Sequence, residues 1–371
     1  MDDVRISAPQ LSLLLFLSCS FSVLEYTPAL GDTQTGLTLL LSTLLGFVLQ
    51  CITVIPLLIL LIKHEGQDLV GCAWLVSPLL GRVLAAVLLV LFLMHLSGGY
   101  AIFSIFLTNI VYPQSSSAVV VLLLAFVCSA SSTFGLQGTA RAASIVCILF
   151  AASILFVGAA ASDKAALLNL HAIPGDDIAD IVNGGFENLS KNTELFVLSM
   201  LLPYIAKPKR KGICTYGFLT LLFLFTFLSQ FLILLVLGDF GMQQTFPYYA
   251  LTSVIDISIF QRLDSLHVVL WIFSALFRCT VCILCIKQCT AILFPKKGKR
   301  IVHWALLHAA AGFGVFFAEQ IPLLRTLNRS RGGVIIAVVC ILPLLLHLIL
   351  IRKEKRNAPP ESPVAAVQHS A

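Results

Sequence analysis

Ten runs of apolar residues, each near the length of a bilayer crossing, divide the chain. They fall at about 9–30, 36–62, 79–111, 118–135, 140–161, 193–207, 212–238, 263–293, 300–320 and 332–351. A helix needs roughly 20 mostly apolar residues to cross the hydrocarbon core. In lipid the backbone must satisfy its own hydrogen bonds, so each run predicts a helix. The third and eighth runs are long enough to cross with tilt or to project beyond the membrane.

The sixth run is too short. Its uninterrupted apolar part, Leu195 to Ala206, holds Pro203, so the polar lead-in from Asn192 to Glu194 must also lie near membrane depth. Polar or irregular backbone is tolerated there only where it is buried in protein or lines a cavity. A counterpart lies in residues 11–30, where the apolar run Leu11–Leu17 gives way to Ser18-Cys19-Ser20-Phe21-Ser22, then Glu25 and Pro28. This cluster predicts a first helix that opens midway. The alternative is a plain helix whose serines bond back to the preceding turn.

Charge sets the orientation. The basic runs 207–211, 296–300 and 352–356 all fall on one side if there are ten spans, and Lys63, Arg82 and Arg141 join them. Basic loops belong in the cytoplasm. The other side receives the acidic stretches 162–190 and 238–264. Arg325, Arg329 and Arg331 dissent, coming out external. The counts predict both termini in the cytoplasm. Splitting the chain between spans five and six leaves five spans in each half. Five is odd, so the second half sits inverted, each half beginning with an interrupted span. The expected fold is therefore an all-α polytopic membrane protein of ten transmembrane helices in a 5+5 inverted repeat, with the first and sixth helices broken. Residues 1–161 form the first repeat, 162–191 an external loop, 192–352 the second repeat and 353–371 a disordered cytoplasmic tail. Residues 241–262 are apolar for a loop, and Phe246, Tyr248, Tyr249 and Ile255 suggest a partly buried lid.

Composition agrees: 58% of residues are hydrophobic, 11% are charged, and the net charge of +6 sits in loops. That excludes a soluble domain and gives no basic tail for nucleic acid. The start, MDDVR, is acidic where a signal peptide is basic, so the first run reads as a retained helix. Cys279, Cys282, Cys285 and Cys289 have the spacing of a ferredoxin cluster run, but on a helix they form one stripe about 15 Å long. That geometry predicts helix packing, and the remaining cysteines suggest no zinc site or disulfide framework. No cofactor motif, metal site or nucleophile–base pair appears, so no enzyme is expected.

Charges inside spans are functional hypotheses by default. Arg278 sits well inside span eight, as a fixed positive charge or as part of a structural ion pair. Glu194 enters span six and Glu25 leaves span one; either is a partner for Arg278, a proton sensor or an interfacial residue. His95 in span three is a core histidine or a proton relay. Gly98 and Gly99 permit close helix approach, and the Tyr100 hydroxyl is a candidate cavity group.

ISAPQLSLLLFLSCSFSVLEYTP, ELFVLSMLLPYIAKP and FPYYALTSVIDISIFQRLDSLHVVLWIFSALFR resemble segments of the endospore germination permease family, the B subunits of nutrient germinant receptors. That family is similar to amino-acid permeases of the LeuT-like, APC-type architecture. The resemblance implies a receptor subunit in the spore inner membrane, binding a small nutrient, often an amino acid, at the bilayer midplane. It implies an A-type membrane subunit and a C-type lipoprotein as partners. Carried over by position, the pocket lies among Ser20, Phe21 and Ser22 of span one and Tyr100 of span three. Span six adds Leu198 and Ser199, and span eight adds Phe273 and Ser274. Ser20 departs from the glycine of many LeuT-like first spans. A proton- or sodium-coupled amino-acid transporter is the alternative, and a structural scaffold a third reading. No hydroxyl-rich sodium site is evident, and Arg278 opposes a cation near Ser274 and Thr280.

Overall fold

A computed structural model describes residues 5–24, 36–170, 178–205, 207, 209–242, 244–255, 264–294 and 299–357. Glu25 and most of the C-terminal tail lie outside these. Regular structure among the described residues is helical, apart from one isolated parallel bridge between Ile6 and Ile205.

Helix α1 spans Ala8–Leu24; α2 (Gly36–Thr53) and α3 (Ile55–Lys63) make one rod with a step at Pro56, which has no N–H for the ladder. α4 (Leu69–Val76) is capped by Asp68, whose carboxylate accepts from the Gly71 N–H at 2.6 Å. α5 (Pro78–Phe106) starts on a proline, where the missing N–H is not needed, and ends in a π-helical turn at Leu107–Val111. α6 (Ser117–Ser131) and α7 (Gly135–Ala160) are separated by the 3-10 turn Ser132–Phe134 and by Gly135 at φ 69, a left-handed conformation suited to glycine. Two non-helical residues, Asn192 and Thr193, separate α8 (Ile178–Lys191) from α9 (Glu194–Leu201), and a 3-10 turn at Leu202–Tyr204 takes in Pro203. α10 (Arg210–Leu237), α11 (Asp239–Met242), α12 (Pro247–Val254), α13 (Asp264–Leu293) and α14 (Lys299–Glu319) follow. α15 (Ile321–Ile335), a π-helical turn at Ile336–Ile341 and α16 (Leu342–Asn357) run on without a gap.

Among the described residues, 7 helical stretches are long and apolar enough to cross a membrane, with Ser117–Ala160 taken as one; Ala8–Leu24 and Glu194–Tyr204 are shorter apolar helices. α13 is the most thoroughly buried of the long ones and packs against α1, α5, α6 and α7. Its four cysteines are buried and unbridged, and no described residues form a group suited to a metal ion. Two ties fix α1 beside α9. The Ile6 N–H donates to the Tyr204 carbonyl at 3.0 Å, and Ser18, twelve residues further on, reaches Glu194. α1 therefore runs away from the bridge while α9 runs towards it, so the two are antiparallel.

Three local expectations need correction. α1 does not open at its serine cluster: it stays helical to Leu24, with the Ser20 hydroxyl donating to the Phe16 carbonyl at 2.8 Å. A hydroxyl that bonds back to the preceding turn leaves the ladder closed. Residues 178–191, expected as an external loop with short surface helices, form one helix, α8, which packs on α2 with Gly184, Gly185 and Leu189 buried. Span six follows the break at Asn192–Thr193 and is a short helix, α9 with the turn Leu202–Tyr204. Residues 321–331, expected as an external loop, are helical, and Arg331 turns inward: its Nη2 lies 3.0 Å from where a Cβ on Gly98 would sit. The stretch read as a lid contains α12, with Phe246, Tyr248 and Ile255 buried; residues 256–263 lie outside those described.

The α2–α8 contact depends on glycine. A Cβ at Gly46 would lie 2.5 Å from the Asn188 Cβ and 3.2 Å from the Gly185 carbonyl oxygen. Neither atom is at the end of a flexible side chain, so the helices must separate. Gly46→Ala is expected to lose about 1–3 kcal/mol, the usual range for overpacking. Chemical unfolding of the purified protein measures this, and unchanged stability would show that the two helices are not held this close.

Candidate functional site

The break between α8 and α9 brings three polar residues into the interior: Asn192, Thr193 and Glu194 are at most 2% exposed. Tight-turn bonds hold the backbone there, from Leu195 N–H to Asn192 O (3.4 Å) and from Phe196 N–H to Thr193 O (3.0 Å). Glu194 occupies the first turn of α9, where the helix dipole favours a negative charge.

Three other helices meet this carboxylate. Ser18 of α1 donates to Glu194 Oε1 at 3.0 Å. Arg278 of α13 places Nη1 at 3.8 Å and His95 of α5 places Nε2 at 3.6 Å from the same oxygen. Arg278 also donates through Nη1 to Ser22 and through Nη2 to Thr193 (3.3 Å), and its guanidinium lies 5.3 Å from the centre of the Phe21 ring. The protons can be assigned. Arg278 has no acceptor, so its contact with His95 Nδ1 (3.3 Å) makes Nδ1 the accepting nitrogen. His95 then carries its proton on Nε2, which faces Thr193 Oγ1 at 3.3 Å. Thr193 in turn donates to Glu194 Oε2 at 3.4 Å. The result is a neutral histidine inside a charge-balanced Glu–Arg pair drawn from four elements.

The sequence candidates divide accordingly. Arg278, Glu194 and His95 meet in this cluster, with Ser22 and Phe21 against the guanidinium. Phe21 also stacks on Trp271, with ring centroids 4.6 Å apart. Ser20, Ser199 and Ser274 are buried, and each hydroxyl bonds to a carbonyl of its own helix. Leu198 is buried on α9, Phe273 half-buried on α13. Tyr100 faces α14, where a Cβ on Gly314 would be 2.8 Å from its own Cβ. Glu25 is outside the described residues. Sequence reasoning missed the hub role of Thr193, the inward turn of Arg331, and Gln50, which joins Asn192 Nδ2 (2.8 Å) to the Asn188 carbonyl (3.2 Å). A lone carboxamide inside the apolar run 36–62 was the available signal for Gln50.

Beside the cluster, a small cleft of ≈ 50 Å³ opens between α1, α2, α8 and α10, with Ser22 and Asn192 in its wall. A family model described as spore germination protein matches residues 10–319 of this chain, taking in α1, the break, the Glu–Arg pair and α13. The chain belongs to the spore germination protein family. It is a membrane protein of receptor or transporter type with a general role in nutrient sensing or transport, and not an enzyme. No curated protein sequence matches it. Among solved structures 23 chains match. One is a Na+-coupled sialic acid symporter in a substrate-bound, outward-open state, with TM-score 0.61 and 13% identity over 90% of this chain and 78% of the symporter. At that identity the likeness speaks for fold alone: this spore germination family member has the helical fold of a secondary transporter.

Proposed function

We propose that this chain is the nutrient-sensing membrane subunit of a spore germinant receptor, binding an amino acid where α1 crosses the α8–α9 break. The carrying observation is the cluster of Glu194, Arg278 and His95, which ties four elements together at that break. Charges at membrane depth are retained for function or bound tightly to one another, and here they sit where a ligand must part the helices. Ser20, Phe21, Ser22, Leu198, Ser199, Phe273, Ser274 and Tyr100 are the residues assigned to the pocket. They are packed in the described state, so ligand entry requires α1, α9 and α13 to separate. The ligand can shift that equilibrium only by its differential affinity for the two states.

The architecture proposed is ten transmembrane helices in a LeuT-like 5+5 inverted repeat. It counts α6 and α7 as two spans either side of Gly135, and adds α1 and the α8–α9 pair. The antiparallel setting of α1 and α9 supports the inversion. Basic loops favour cytoplasmic termini, and the family favours the spore inner membrane, with an A-type subunit and a C-type lipoprotein as partners in a multi-subunit receptor. One observation favours a second reading, a proton-coupled amino-acid transporter: Glu194 and His95 form a titratable pair 3.6 Å apart on separate helices. Retention of labelled amino acids by sealed and leaky proteoliposomes under a proton gradient separates the two. Equal saturable label in both is the result expected of a sensor. Excess label in sealed vesicles would overturn that reading in favour of transport.

A further inference from the structure

Three apolar spans end at one corner of the molecule, where α3 stops at Lys63, α5 starts at Pro78 and α16 reaches its basic last turns. α4 lies among them and packs on α3, α5 and α16. It buries Leu69, Val70, Cys72 and Ala73 and leaves Trp74 and Leu75 exposed. Exposed apolar and aromatic residues on a short connecting helix suit the boundary between lipid and water. Gly81 seats the indole against α5: a Cβ there would lie 2.6 Å from Trp74 Cε3. Arg82, exposed about one turn into α5, holds its guanidinium 5.8 Å from the centre of that ring. Leu79 and Val83 share the outward face with Arg82 by helical spacing, and both are exposed. Lys353 of α16 donates to the carbonyl of Leu75, the residue after Trp74, at 2.8 Å. Two cations from separate helices thus flank the exposed end of α4.

We propose that this corner binds an anionic phospholipid, with its phosphate held by Arg82 and Lys353 and an acyl chain laid along the outer face of α5. Charge complementarity selects the headgroup. Arg352 and Arg356, both exposed, add positive charge to the same end of α16. The nearby acids do not cancel it: Glu354 is taken by Lys63 at 2.6 Å, Asp68 caps the far end of α4, and Glu65 precedes that cap. A guanidinium on a lipid-facing helix surface extends to headgroup level, where a phosphate offers paired oxygens to its fork. The apolar strip selects a lipid over a free anion. Leu79, Val83, Val87 and Val90 are all exposed along α5, which gives a fatty-acyl chain a surface that a soluble phosphate leaves uncovered. The inference needs only that the chain spans a membrane, and it does not rest on the nutrient-sensing reading.

The test is tryptophan quenching by brominated lipid in vesicles that carry the full chain. Of its tryptophans, Trp271 is fully buried, so Trp304→Phe leaves Trp74 as the exposed reporter. Brominated phosphatidylglycerol diluted in ordinary phosphatidylcholine, and the reverse mixture, give the relative affinity of the two lipids beside Trp74. Phosphatidylglycerol is expected to be favoured about 25-fold, roughly fivefold from each of the two cations, as for ~1 kcal/mol per basic residue at an anionic surface. In this background Arg82→Gln and Lys353→Gln are each expected to lower the preference about fivefold, and the double variant to abolish it. Both sites are exposed, and each variant is checked for monodispersity and helix content. Excess inorganic phosphate at constant ionic strength is expected to leave the preference unchanged. Equal quenching by the two lipids in the Trp304→Phe chain overturns the assignment. So does an undiminished preference in the folded double variant. Loss of the preference on adding inorganic phosphate overturns it as well, since the site would then be one for a free anion.

Discussion

Arg278→Ala is expected to destabilise the protein by about 3–5 kcal/mol, the range for breaking a buried ion pair by removing one partner. Both residues are almost wholly buried, Glu194 at 0% and Arg278 at 2% exposure. Without the guanidinium, Glu194 keeps neutral partners such as Ser18, Thr193 and His95, which supply no compensating charge. His95 Nδ1 and the Ser22 hydroxyl lose their donor as well. The double variant Arg278→Ala with Glu194→Gln is expected to recover a substantial part of the loss, because it leaves no unpaired charge inside the protein. Unfolding of the purified variants in mixed micelles measures both. If the single and double variants lose the same stability, the charge on Glu194 is not what Arg278 offsets, and the cluster is ordinary packing.

The second large effect is expected at Trp271, at the centre of an aromatic group on α13. Its ring lies 4.3 Å from that of Phe106, 4.6 Å from Phe21 and 5.5 Å from Phe103, and Phe246 meets it at 6.3 Å. Trp271→Ala leaves a cavity bounded by α1, α5 and the chain leading into α12, with an expected loss of about 3–5 kcal/mol. Lipid offers apolar surroundings to an unpacked helix, so the loss is of packing and contact more than of burial from water. Trp271→Phe is expected to be much milder. The indole N–H is buried without a hydrogen-bond partner among the described residues, and phenylalanine removes that unsatisfied donor while keeping an aromatic ring. Thermal unfolding of the two variants supplies the comparison. A phenylalanine variant as unstable as the alanine one would mean that the indole nitrogen has a role in holding the fold.

Both expectations attach to residues that differ in how far they stood out beforehand. Arg278 is conspicuous because a guanidinium inside an apolar run is rare and expensive. Glu194 and His95 stand out for the same reason, and the interruption around Asn192 and Pro203 follows from hydropathy and proline chemistry alone. Trp271, Thr193 and Gln50 were harder to single out, because their importance lies in neighbours from distant parts of the chain.

Hydropathy by itself determined that this is an all-helical membrane chain, roughly where its apolar helices run, and which few polar groups are carried into the interior. Tertiary structure decided that Ser18, His95, Glu194 and Arg278 meet at one point, and that α1 stays helical through its serines. It also decided that α8 is drawn in against α2 through Gly46, that Tyr100 turns to α14, and that a polar cleft opens beside the break. The reason is physical. A soluble helix carries an apolar stripe that says which side faces the core, whereas these helices are apolar on most sides because lipid and protein interior make the same demand. Which faces meet is then set by small-residue packing and by a handful of polar contacts between helices, such as Ser18–Glu194, whose partners are 176 residues apart in sequence.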